Sequence, residues 1–352
     1  MVAQFLNRWL DGWRGGALLG ALVVILIAMP VALGSNAYAT QLLLTFFIFA
    51  IFGHGWNLLA GYCGLLSFGN QVYVGIGGFT IAILVYYGGL YVWLALPVGA
   101  LVAAAFAYLL AIPVRDSLSG PRVLRPAAVA IGLWILYEIL IAYDPRWDVI
   151  GDDYVRHVML LLLIFLGALP ILRLQGAYFA VATWLIAASV ATIFNEWKVV
   201  GAGGGMRIAT NVSLEEIYYV ALVLLCLATW IVWRLLRSRY GLALTAVRDD
   251  EEAAQTVGVD VRKVKMVAFV ISGGLTGLGA GLFYIDAIAI TPPAAFNIFW
   301  SAYFVFVVVA GGMGTLAGPI IGSAIFVVID RVISGWVDQP LLILGLAAIL
   351  LI

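Results

Sequence analysis

The sequence predicts an all-α, polytopic membrane protein: a bundle of about 10 to 12 transmembrane helices, with some glycine-rich segments that are broken or re-entrant. Of the 352 residues, 65% are hydrophobic and only 10% are charged, whereas a soluble domain carries about a quarter charged residues. The apolar residues fall into runs long enough to cross a bilayer. One long polar segment, residues 234–265, lies between strongly apolar flanks.

The apolar runs predict twelve crossings within a single transmembrane domain, residues 1–352, with both ends in the cytoplasm. On this topology 13 of the 18 Lys and Arg residues lie inside, as the positive-inside rule requires. The first run is expected to be a retained signal anchor, and the last reaches Ile352 in mid-span, so we expect further residues beyond it. Predicted spans lie at about residues 16–34 and 38–60, then a third ending near 87, then 91–113, 127–143, 158–172, 178–194 and 217–233, with four more after the polar segment.

A glycine-rich stretch at residues 57–79, NLLAGYCGLLSFGNQVYVGIGGF, interrupts the second and third spans. Glycine at this density weakens a continuous helix and permits close backbone approach. One interpretation is a broken or re-entrant helix that lines a path for a solute, with neutral hydrogen-bonding groups at membrane depth. The other is close helix packing through small residues. The candidate path-lining residues are Ser67, Asn70, Gln71, Gly75 and Gly78.

The polar segment 234–265 is predicted to be a cytoplasmic loop that carries a short helix at about residues 249–257. Asp249 or Asp250 can cap this helix, and Gly258 is placed to end it. Acidic residues in its first turn stabilise the helix through their interaction with the helix dipole. A small-residue face is predicted from Ala253, Ala254 and Val257.

This short helix has two possible roles. It can fit into a groove on a partner protein and transmit a rigid-body push, or the whole loop can be solvated, with basic residues resting on anionic lipid. The cap, the acidic turn and the terminal glycine favour docking for the helix, while the flanks contact membrane lipid. The basic flanking residues are Arg234, Arg237, Arg239, Arg262, Lys263 and Lys265.

No enzyme chemistry is indicated by the motifs. The sequence contains no nucleotide-binding P-loop, nucleophile elbow or metal-binding motif, and Cys63 and Cys226 are read as small core residues. We therefore expect no cofactor, no metal and no nucleic-acid partner. Acidic residues within or near spans suggest a proton or ion relay, but each also lies close to a span end or a basic neighbour. They are Glu138, Asp286 and Asp330.

Four stretches, in this order, resemble the permease subunits of high-affinity branched-chain amino acid ABC importers, with the M-type subunit the closer match. They are the glycine-rich stretch above, then LRLQGAYFAVAT, RSRYGLALTAVRDDEEAAQTVGVDVRKVKMVAFVISGGLTGLGAGL and VVVAGGMGTLAGPIIGSAI. The resemblance implies a multi-pass permease of the bacterial inner membrane with a cytoplasmic N-terminus. It also implies an H-type permease partner, two cytoplasmic ATPase subunits and a periplasmic substrate-binding protein.

In such importers the cytoplasmic loop supplies the coupling helix that contacts the ATPase. The resemblance assigns that role here to Arg248, Asp249, Asp250, Glu251, Ala253, Ala254 and Gly258. Residues 115–172 depart from the M-type pattern, since they insert two spans that look more like the H-type partner. The alternative function is a self-sufficient channel or secondary carrier for a small solute, such as urea or a short amide.

Overall fold

The computed structural model describes residues 24–30, 36–111, 176–208 and 210–333. Within these ranges the chain is a bundle of α-helices with one two-residue pair of β-strands, so the predicted fold class is confirmed. Six of the described helices are long and apolar enough to span a membrane, and two shorter apolar helices accompany them. The predicted spans 127–143 and 158–172, the insert 115–172 and Glu138 lie outside the described residues.

The elements follow one another in a simple order. After a short helical stretch at residues 24–30, they are α1 (Ala37–Asn57, continued as a π-helix at Leu58–Tyr62), α2 (Gln71–Tyr86), α3 (Val92–Ala111), α4 (Gly176–Glu196), a 3₁₀ turn (Lys198–Val200), β1 (Met206–Arg207), α5 (Leu214–Leu236), α6 (Arg239–Asp249), α7 (Glu251–Thr256), α8 (Val261–Ala287), β2 (Ala289–Ile290), α9 (Pro292–Ala295), α10 (Phe299–Gly311) and α11 (Gly318–Val327, continued as a π-helix at Val328–Ile333).

Helices α1 and α8 form the centre of the bundle, because their spans are the most deeply buried of the six. Small residues allow α8 to approach its neighbours closely. A Cβ atom on Gly277 would lie 2.5 Å from the Cβ atom of Ala103 in α3, and one on Gly77 in α2 would lie 2.7 Å from Gly277. Any larger side chain at these two glycines would force the helices apart.

The third predicted span is shorter than expected because the chain breaks before it. Residues 64–70 are not helical, and α2 begins only at Gln71. The indole Nε1 of Trp56 donates to the carbonyl of Ser67 at 2.9 Å, so the broken segment runs back alongside α1 into the bundle. The predicted broken or re-entrant segment is therefore present.

A second break separates α8 from α10. Ile288 adopts φ +61°, and β2 and the one-turn helix α9 follow before the chain re-enters the bundle as α10. Helices α10 and α11 then form a tight hairpin, whose turn needs glycine because Gly312 and Gly314 have φ of +106° and +74°.

The polar segment 234–265 is mostly helical, although it was expected to be a loop. It contains the end of α5, then α6 and α7, and the first turns of α8. The end of the bundle that carries α6 and α7 is called the near end below. The opposite, far end carries β1 and β2, which pair antiparallel with Met206 opposite Ile290.

Candidate functional site

The first break forms a buried polar junction, in which residues 67–71 contact facing residues of α4, α8 and α10. Ser301 Oγ lies 2.6 Å from Gln71 Oε1 and 3.1 Å from the Phe68 carbonyl, so its single proton can be donated to either. Asn70 Nδ2 donates to Ser272 Oγ at 3.4 Å. All four polar side chains at these contacts are buried and uncharged.

Helix α4 closes the junction on another side. Thr183 Oγ1 accepts a hydrogen bond from the Phe68 amide at 3.1 Å, and Ser67 Oγ accepts one from the Gly69 amide at 3.3 Å. A Cβ atom on Gly69 would lie 2.2 Å from the Thr183 carbonyl oxygen. Glycine at this position is therefore what allows the broken segment to touch the backbone of α4.

Two polar atoms near the junction lack a hydrogen-bond partner among the described residues. They are Asn70 Oδ1 and Thr276 Oγ1, and both residues are completely buried. A cavity of about 10 Å³ lies beside Ser67, Gly69 and Thr183, which is room for one water molecule. In this conformation the junction is packed shut, with hydrogen-bonding capacity left over.

The predicted path-lining residues therefore divide into two groups. Ser67, Asn70 and Gln71 lie together in the junction. Gly75 and Gly78 lie one to two turns further along α2, where a Cβ atom would lie 2.1 Å from the ring of Phe296 and 2.6 Å from Tyr284, respectively. These two glycines permit close packing in this conformation, which is what the second interpretation of the stretch expected.

Between the junction and the near end, Asn57 links α1 to the turn of the α10–α11 hairpin. Its Nδ2 donates to the Thr315 carbonyl at 2.9 Å, and its Oδ1 accepts from the Gly314 amide at 2.9 Å. Gly61 must lack a side chain here, because a Cβ atom would lie 2.5 Å from the Gly314 amide nitrogen.

Arg248, at the end of α6, reaches this same region. Its Nη1 donates to the Gly61 carbonyl at 3.1 Å, and its Nε and Nη2 contact Asp249 Oδ1 at 2.9 and 2.8 Å. The last carbonyls of a helix have no intrahelical donor, so a guanidinium placed there satisfies one and complements the dipole. Arg248 therefore links α6 to the end of α1.

Helix α7 corresponds to the predicted short helix. Asp250, rather than Asp249, is its N-cap and accepts from the Ala253 amide at 2.9 Å. Gly258 follows the helix with φ +87°. The predicted small-residue face is wrong in one respect: Ala254 is buried against the chain, whereas Ala253 and Val257 are exposed.

The first turns of α8 hold an ion pair that the sequence did not indicate. Lys265 Nζ lies 2.6 Å from Glu251 Oε2, and the Lys265 side chain is only 2% exposed. The prediction that Lys265 rests on lipid is therefore wrong. The reason is helical register, because Val261, Val264 and Ala268 are buried on the same face.

Sequence reasoning missed most of the residues that complete the site. Their common feature is that each is a small polar residue isolated in an apolar helix, which is a weak indication of a hydrogen-bonded interior position. They are Asn57, Thr183, Ser272 and Ser301.

At the far end, Asp286 accepts a hydrogen bond from Gln41 Nε2 at 2.6 Å, which gives this acidic residue a neutral partner.

A sequence profile of the family described as "Branched-chain amino acid transport system / permease component" matches residues 38–144 and 158–352. The chain belongs to this permease family. The permease is 30% identical over 327 residues to the high-affinity branched-chain amino acid transport system permease protein LivM of Salmonella typhimurium, which covers 92% of this chain and 70% of that protein. LivM of Escherichia coli is 29% identical with the same coverage.

The permease also matches other transport permeases over shorter stretches. The guanosine ABC transporter permease protein NupQ of Bacillus subtilis is 31% identical over 98 residues, covering 28% of this chain and 30% of that protein. No solved structure matches the permease. The six span-length helices among its described residues make it a multi-pass membrane protein, and these relatives are named as transport permeases.

Proposed function

We propose that this permease is the M-type subunit of an ABC importer for branched-chain amino acids or a chemically similar small polar solute. It is energised by two separate ATPase subunits, paired with an H-type permease and fed by a periplasmic binding protein. We place it in the bacterial inner membrane with its N-terminus and near end in the cytoplasm. The names of the relatives support the solute class, because two of them are branched-chain amino acid permeases.

The observation that carries the proposal is a short helix pair, α6 and α7, set at one end of the bundle and bonded to its centre. Arg248 joins α6 to the end of α1, and Glu251 joins α7 to α8. The contact surface for an ATPase then consists of Val257 together with the exposed members of the predicted set, which are Arg248, Asp249, Asp250, Ala253 and Gly258. A short helix with an apolar exposed face fits a groove on a partner.

The polar junction is the proposed solute path. Its neutral donors and acceptors offer a zwitterion hydrogen bonds without binding it by charge. Opening requires the Ser301–Gln71 and Asn70–Ser272 contacts to separate, as in an alternating-access movement of helices around a fixed site.

The test is uptake of labelled leucine, isoleucine and valine, with guanosine as a comparison solute, into proteoliposomes holding the permease and its co-expressed partners. We expect uptake only with hydrolysis-competent ATPase. Uptake by the permease alone in liposomes would instead establish the self-sufficient channel or carrier.

Val257 gives a matched pair of variants for the docking surface, since this residue is 78% exposed. Val257→Leu keeps an apolar side chain and should retain the ATPase during purification. Val257→Asp places a charge in the groove and should release it, because burying an unpaired charge is costly. Equal retention by both variants would show that α7 does not dock there.

A further inference from the structure

The ion pair between Glu251 and Lys265 spans the connection between α7 and α8. The two residues are 14 positions apart, and Lys265 Nζ lies 2.6 Å from Glu251 Oε2. A lysine this deeply buried is uncommon unless it is paired, because an ammonium group taken out of water needs a close counter-charge. The pair therefore holds α7 at a fixed position against α8.

The connector itself does not fix that position. Gly258 lies in the left-handed region with φ +87°, and a Cβ atom added there would meet nothing within 4 Å. The connector is thus a turn that is exposed at Gly258 and packs against the core only partly, through Val259, and exposed turns are where local backbone motion is expected. Without the ion pair, a force on α7 would be absorbed by rotation about this turn.

Helix α8 leads directly from the ion pair to the polar junction. Ser272 lies seven residues after Lys265, on the same buried face, and about 10 Å further along the helix axis. Its hydroxyl accepts the hydrogen bond from Asn70. A displacement of the first turns of α8 therefore moves one side of a junction contact.

Arg248 provides a second connection, to α1. The carbonyl that it contacts belongs to Gly61, in the π-helical end of α1, and π-helical turns are frequent at functional sites. One turn earlier in α1, Asn57 holds the hairpin turn through Gly314 and Thr315. Helices α6 and α7 are thus each bonded to a different central helix.

We propose that Glu251 and Lys265 are positioning residues that transmit displacement of α7 to α8 and thereby to the polar junction, with Arg248 as a parallel connection to α1. In this arrangement Glu251 does not contact the ATPase, which revises the role that the family resemblance implied for it. The inference rests on the proposed function, because the displacement it transmits is the one that the ATPase imposes.

The test compares four single variants in the complete transporter with its partners. Glu251→Gln and Lys265→Met remove the charges of the pair, while Glu215→Gln and Lys263→Met make the same changes at exposed residues outside α7. In the first two we expect the ATPase to co-purify and hydrolyse ATP within about twofold of wild type, while leucine uptake per ATP falls about tenfold, a typical size for coupling between sites. The two controls should behave as wild type.

A charge-swap variant, Glu251→Lys with Lys265→Glu, tests the pair directly. Restored uptake per ATP supports a positioning role, whereas a folded but uncoupled swap, or a swap that fails to fold, overturns it. Loss of the ATPase from Glu251→Gln also overturns it, because Glu251 would then be a contact residue. Failure of the proposed function is distinguishable, since wild-type permease would itself bind no ATPase.

Hydrogen exchange gives a readout that does not depend on transport. In Glu251→Gln and Lys265→Met, amides of residues 250–258 should exchange about tenfold faster than in wild type, while amides within α1 stay protected. Unchanged exchange at residues 250–258 in folded variants would overturn the proposal.

Discussion

Removing Ser272 Oγ should destabilise the permease more than removing the whole polar end of Asn70. This rank order is unexpected from side-chain size, since Asn70→Ala deletes more atoms than Ser272→Ala. It follows from the hydrogen bonds of the junction, in which Asn70 Nδ2 is paired and Asn70 Oδ1 is not.

The magnitudes come from four effects. Ser272→Ala leaves Asn70 Nδ2 buried without its acceptor, which costs about 1–3 kcal/mol. Asn70→Ala loses a hydrogen bond that is long at 3.4 Å and worth about 0.5 kcal/mol, and leaves a space that costs about 1 kcal/mol. It also removes the unpaired Oδ1, and relief from burying this acceptor stabilises the fold by about 1–3 kcal/mol. No capping bond is lost, because the Asn70 side chain does not cap α2.

We therefore expect Asn70→Ala to be within about 1.5 kcal/mol of wild type, and Ser272→Ala to be less stable by about 1–3 kcal/mol. Denaturant or thermal unfolding of purified permease measures both, and the double variant should resemble Asn70→Ala, because no donor is then left unpaired. A larger loss of stability in Asn70→Ala than in Ser272→Ala would refute the reasoning.

Uptake assays on the same variants decide between the two interpretations of the glycine-rich stretch. If Asn70 lines the path, Asn70→Ala should fold normally yet take up leucine about tenfold more slowly, as expected for loss of a polar group that contacts the solute. If the stretch serves packing alone, a stable variant should transport normally. Stability and transport must therefore be measured on one preparation.

Three further outcomes follow from the structure. Gly69→Ala should cost about 1–3 kcal/mol by overpacking against α4, and in unfolding experiments it should cost more than Gly204→Ala, whose Cβ atom would lie 3.2 Å from the Gly201 carbonyl oxygen and needs only a small local shift. Arg248→Lys should retain charge but weaken the bond to the Gly61 carbonyl, and should lower uptake per ATP more than it lowers ATPase retention. Burial raises the pKa of the Cys63 thiol to about 12 from an ordinary value of 9.0. Cys226 is exposed, contrary to its predicted place in the core, so it is first replaced by serine; maleimide should then not label the folded permease at pH 8, and rapid labelling would contradict this. The stability that comes from keeping the Cys63 thiol neutral should be lost as pH rises from 9 towards 12.

Local features of the site could be predicted from the sequence because they depend on neighbouring residues. The density of glycine beside Ser67, Asn70 and Gln71 indicated a broken segment, and the break occurs at residues 64–70. An acidic cap followed by a short helix and a glycine indicated α7, and Asp250 with Gly258 fills those positions.

The partners of these features could not be predicted, because they come from distant parts of the chain. Ser301 is 230 positions from Gln71, and Arg248 is 187 positions from Gly61. Nothing in a local pattern fixes such pairings, since they depend on how the helices pack. Lys265 shows the same limit: charge alone suggested an exposed residue, and only its buried neighbours on α8 gave the opposite answer.

The far end of α8 is held differently from its near end. Beyond Ala287 the chain pairs with the connector between α4 and α5, through the two short strands and a bond of 2.8 Å from the Ile208 amide to the Ile288 carbonyl. These backbone bonds restrain α8 from sliding along its axis. We therefore expect a push at Lys265 to displace the near end of α8 more than its far end beside Ile288. The polar junction lies between Lys265 and Ile288, so we expect its displacement to be smaller than that of Lys265.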